Sequence, residues 1–72
     1  MDYKLNTEYV SGHTVFIATL MQRAIGSGPK FEFYAVIRID SGRPPTIVRQ
    51  SQSESHCLQA LQAEVVGENS KY

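Results

Sequence analysis

Cysteine is nearly absent from this chain: Cys57 is the one example in 72 residues. A single thiol excludes an intramolecular disulfide and any zinc site built from cysteines alone. Net charge is absent as well, since seven basic side chains balance seven acidic ones. That balance removes the general electrostatic argument for a nucleic-acid or anionic-membrane partner, although it leaves room for a local patch. Long apolar runs are missing too. Val15–Met21, the longest, is interrupted by Thr19, and a bilayer span needs about 20 residues. Neither Asn6 nor Asn69 stands in a glycosylation sequon. The opening MDYKLNTEYV has no basic region followed by an apolar stretch, so it is not read as a signal peptide. A reducing cytoplasm is the expected location, with no membrane partner.

Motifs that specify a chemistry are also lacking. Asp2, Glu8, Glu32, Asp40, Glu54, Glu64 and Glu68 are dispersed, and no spacing argues for an acid–base pair. His13, His56 and Cys57 are not spaced as metal ligands. His56 and Cys57 are adjacent on a predicted helix, where neighbours point about 100° apart. Cys57 is therefore read as a small core residue beside an exposed histidine. GSGP at 26–29 lacks the Gly-Lys-Ser/Thr of a phosphate loop and reads as a turn. No catalytic residue, metal or cofactor is expected.

What is present is a strand pattern. In FEFYAVIRID, residues 31–40, Phe31, Phe33, Ala35, Ile37 and Ile39 fall on one side. Glu32, Tyr34, Val36, Arg38 and Asp40 fall on the other, because strand side chains alternate. The first set reads as the core face. The second has charges at its ends but Tyr34 and Val36 at its centre, more apolar than a solvated face needs to be.

Residues 13–25, HTVFIATLMQRAI, carry two patterns. Their β-branched and aromatic start favours a strand. Ile17, Leu20, Met21, Ala24 and Ile25 also fit a helical stripe with Gly26 as its cap. The strand is preferred, because Gly26–Lys30 suits a hairpin. SGRPP at 41–45 is a turn, and Thr46–Gln50 reads as a short third strand. Ser51 and Glu54 have capping-box spacing, with Ser53 and Ser55 as alternative caps. The helix is expected to start between Gln52 and Glu54 and to end near Val66, with Gly67 terminating it. Its apolar stripe is Cys57, Leu58, Leu61 and Val65.

The expected fold is one α+β domain over 1–72, a three-stranded antiparallel meander with one C-terminal helix packed on one face. The alternative is α-β-β-α, if 13–25 is helical. Residues 1–11 form an arm, in which Tyr3, Leu5 and Tyr9 either alternate as an edge strand or lie over the core. Residues 68–72 form a frayed tail.

One helix shields one face of a sheet only, and a chain this short gains from a second subunit. The expected function is a small non-enzymatic intracellular protein-interaction module. It would self-associate through the outer face carrying Tyr34, Val36 and Arg38, as a homodimer or with another protein. The alternative is a nucleic-acid-binding domain in which Arg23, Lys30, Arg38 and Arg49 line up beside an exposed aromatic.

Overall fold

The computed structural model describes residues 2–71. Four strands precede one helix: β1 (Tyr9–Ser11), β2 (Thr14–Ile25), β3 (Gly28–Asp40), β4 (Thr46–Ser51) and α1 (Glu54–Asn69). The strands form one antiparallel sheet in the order β1-β2-β3-β4. The α+β class is as expected, with four strands in place of three. The extra strand comes from the end of the arm, where Tyr9, Val10 and Ser11 pair with Phe16, Val15 and Thr14.

Residues 14–25 are strand throughout. Their helical stripe is overridden by a ladder to β3 that runs from Thr14↔Asp40 to Ile25↔Gly28. A hydrogen-bonded partner of matching length outweighs a local periodicity that has no second surface to bury against. The β2–β3 hairpin is tighter than the sequence suggests. Only Gly26 and Ser27 form the turn, and Lys30 lies within β3 opposite Arg23. Gly26 has φ +49° and Gly28 φ +148°, values that favour glycine.

The helix starts where expected. Ser53 is its N-cap and accepts from the His56 backbone N–H at 3.4 Å. Its end lies beyond the expected position. Gly67 is helical, Glu68 and Asn69 continue the helix, and Ser70 is the cap. The continuation has anchors: Ser11 Oγ donates to Asn69 Oδ1, and Arg38 holds Glu68. Residues 68 and 69 are therefore part of the helix rather than a frayed tail. Met1 in the arm and Tyr72 in the tail lie outside the described residues.

The core sits between the helix and one sheet face. Phe16, Ala18 and Val36 meet Cys57, Leu61 and Val65, all nearly inaccessible. Tyr3, Leu5, Tyr9, Tyr34, Val48 and Leu58 pack around them. The face that the helix covers is the reverse of the one expected. Val36 is fully buried, and Tyr34 and Arg38 share its side of β3. Phe33, Ile37 and Ile39 therefore point away from the helix.

Candidate interaction surface

The outer face follows from the ladder, because directly paired residues share a side. Its rows run across the strands. Val10, Val15 and Ile39 form the first, and Ile17, Ile37 and Ile47 the second. Thr19, Ala35 and Gln50 form the third, and Met21 and Phe33 the fourth. No Asp, Glu, Lys or Arg occurs in these rows. Val10 and Ile47 are 68% and 48% exposed, and Val15, Ile17, Met21, Phe33, Ile37 and Ile39 are half-buried.

Two bulges shape this surface. Val48 is the extra residue between the Val36↔Arg49 and Ile37↔Ile47 pairs. It lets Val48 pack on the core and Arg49 reach Glu64 on the helix, while Ile47 stays on the outer side. Glu32 is the extra residue between Met21↔Phe33 and Gln22↔Phe31. It changes the parity of the strand, so Phe31 stands against Tyr34, ring centroids 5.2 Å apart, instead of beside Phe33. The sequence alternation had placed Phe31 with Phe33.

The third row dips at its centre, between Thr19 and the exposed Gln50. Ala35 has no exposed surface although it faces outward, because its short side chain lies between taller rows. Thr19 extends the groove to the sheet edge, where its hydroxyl donates to Asn6 Oδ1 at 2.7 Å. Gln50, with Phe33, Ser51 and Gln52, lines a shallow depression at the other end.

Among the described residues, the helix and the larger side chains of the arm, Tyr3, Leu5 and Tyr9, pack on the opposite side. Tyr3 and Leu5 join the helix-side cluster, and Tyr3 stacks at 4.6 Å on Tyr9. The arm thus enlarges the core, and it meets the outer face at the edge, through Val10 in the first row and Asn6 at Thr19.

The residues expected to form the surface have other partners. Arg38 donates to Asp40 Oδ2 at 2.9 Å and to Glu68 Oε1 at 2.8 Å. Its guanidinium also lies 5.6 Å from the Phe16 ring centroid. Asp40 first and Glu68 second raise its pKa further above the ordinary value. In return Arg38, and then Thr14, hold the Asp40 carboxyl below its usual range. Tyr34 packs against the core edge. The surface that period-two reading assigned to Tyr34, Val36 and Arg38 belongs instead to Phe33, Ile37 and Ile39.

The arginines expected to form a stripe do not share one surface. Arg38 and Arg49 lie on the helix side, in ion pairs with Glu68 and Glu64 respectively. Arg23 pairs with Glu32 near the hairpin tip, where Lys30 stands opposite it in the ladder. Cys57 is 1% exposed. Burial, and then the charge of Glu54, push its thiol pKa up, the reverse of what a nucleophile needs. His13 and His56 are exposed. Among the described residues, no His, Cys, Asp or Glu group is arranged to hold a metal ion, and no helix is long and apolar enough to cross a membrane.

In comparison with known proteins, no family model, curated protein or solved structure matches this chain.

Proposed function

We propose that this chain is a small non-enzymatic protein-interaction module, acting inside the cell as a regulator, adaptor or inhibitor through the outer face of its sheet. One observation carries the reading. The helix and the side chains of Tyr3, Leu5 and Tyr9 in the arm are spent on one side of the sheet, and the other presents four rows with no charged residue among them, three of them wholly apolar. Isolated apolar side chains on a surface are ordinary, but contiguous rows across β2, β3 and β4 mark a contact surface. Burial of these rows would drive the association and would leave it largely insensitive to salt.

The test is a charge in the middle of the second row. Ile37→Lys should keep the far-UV circular dichroism of the wild type. It should also shift the chain from an assembled to a free form, read by size-exclusion chromatography of the pure protein and of extracts from cells that express it. Wild type and variant both running as free chains in both settings would end this reading. A salt-sensitive shift on nucleic acid would favour the alternative.

A further inference from the structure

The relief of the outer face points to its occupant. The isoleucine row Ile17–Ile37–Ile47 is a ridge, and beside it the Thr19–Ala35 row is a groove. Adjacent same-face rows lie about 7 Å apart along a strand. A two-fold axis between the sheets, lying parallel to these rows and midway between them, sets each ridge over the other copy's groove. The same axis sets Met21 and Phe33 of one copy against Val15 and Ile39 of the other. A surface that carries its own complement one row away is what an isologous contact requires.

Charge and size agree with this. The four rows carry no charged residue, and the cationic pair Arg23 and Lys30 comes one row beyond Met21 and Phe33, at the hairpin end. The two-fold axis therefore holds the two copies' cations at opposite ends of the contact, and the rows themselves meet without repulsion. The chain exposes 5019 Å², against about 4,500 Å² for a compact monomer of its mass. Its radius of gyration is 13.0 Å, against about 11 Å for a compact domain of its length. The 46 × 29 Å outline of the molecule has room for the roughly 800 Å² that each partner gives to a standard interface.

We propose that a second copy of this chain covers the outer face, the two sheets stacking with the isoleucine ridge of each seated in the Thr19–Ala35 groove of the other. The result is a four-layer helix–sheet–sheet–helix dimer with the two sheets about 10 Å apart. This proposal rests on the reading of the outer face as a protein-contact surface and adds the identity of the partner.

The experiment is sedimentation equilibrium of the full chain, wild type beside Ala35→Trp and Ile37→Lys, with far-UV circular dichroism on each. The wild type should have twice the 8.1 kDa chain mass, and both variants should be folded at the single-chain mass. Ala35→Trp decides most directly, since an indole fills the groove while adding only apolar surface. A folded Ala35→Trp that stays dimeric overturns the ridge-in-groove arrangement. Should Ala35→Trp fail to fold, Ile37→Lys decides in the same way. A wild type of single-chain mass up to about 1 mM, where only very weak contacts remain unformed, overturns the second copy as occupant. If that monomer enters a larger assembly in cell extract that Ile37→Lys abolishes, the contact-surface reading stands and only the dimer falls.

Discussion

Arg38 and Glu68 join the end of β3 to the last turn of the helix, Nη1 to Oε1 at 2.8 Å. Glu68 is 5% exposed, and Lys71 Nζ also approaches its Oε1 at 3.3 Å. The pair selects a face of the sheet as well as a helix end. Arg38 reaches Glu68 only if the helix lies on the side of Val36, with Phe16 beneath the guanidinium.

Replacing Arg38 with Met should therefore loosen the helix end. A buried carboxylate that loses its main partner is more costly than the loss of an exposed ion pair. The thermal midpoint should fall on the order of 5 °C. In a double-mutant cycle, Glu68→Gln should cost less in the Arg38→Met background than alone. Strict additivity would show that the two side chains do not act together.

Position 36 and position 37 should respond in opposite ways to charge. Val36 is fully buried against Cys57, Leu61 and Val65, so Val36→Asp places an unpaired carboxylate in the core and should abolish folding. Ile37 is half-buried on the outer face, and Ile37→Asp should leave the circular dichroism of the fold intact. A folded Val36→Asp beside an unfolded Ile37→Asp would mean that the helix covers the other face.

Leu61 has no accessible surface and lies between Cys57 and Val65 on the helix. Leu61→Ala should destabilise the protein by about 2–5 kcal/mol in chemical denaturation. A loss within about 0.5 kcal/mol, typical of surface sites, would contradict this register.

The Cys57 thiol is buried and its pKa is raised. A polar disulfide reagent should label it slowly in the native protein and rapidly in denaturant, because the thiolate is the reactive form. Native labelling as fast as that of an unstructured peptide would place the sulfur at the surface.

Asp40 should make stability depend on pH in one direction. Arg38 and Thr14 hold its folded pKa below the ordinary 3.8. Between those two values the unfolded chain binds more protons than the folded one, so stability rises with pH there. The contribution is full above 3.8 and is lost as pH falls through the folded value. The difference in thermal midpoint between wild type and Asp40→Asn should be largest near neutrality and should shrink in acid. A difference that grew on acidification would reverse the sign of the linkage.

Some of this structure was legible from residue order alone. The alternation in Phe31–Asp40, the turn residues Gly26 and Ser41–Pro45, and the candidate caps Ser51, Ser53 and Ser55 before the Cys57–Leu61–Val65 stripe each depend on neighbours within a few positions. They settle strands, turns and a C-terminal helix, and hence a sheet with one face that the helix leaves open. Strand 14–25 was ambiguous because its apolar residues satisfy two periods at once.

Which face stays open was decided by tertiary structure. Period two divides β3 into a wholly apolar side and one that is apolar between charged ends, and the alternation itself is symmetric as to which of them a helix covers. The symmetry is broken by contacts distant in sequence: Arg38 with Glu68, Ser11 with Asn69, and Phe16 and Ala18 from β2 beside Val36 under Leu61. The bulges at Glu32 and Val48 reassign Phe31 and Arg49, because an extra residue reverses parity and shows only once the strands are paired. Residue order determined that an apolar face would remain. Packing determined that it carries Phe33, Ile37 and Ile39, because a helix with one apolar stripe buries one side of a sheet and its long-range partners choose the side.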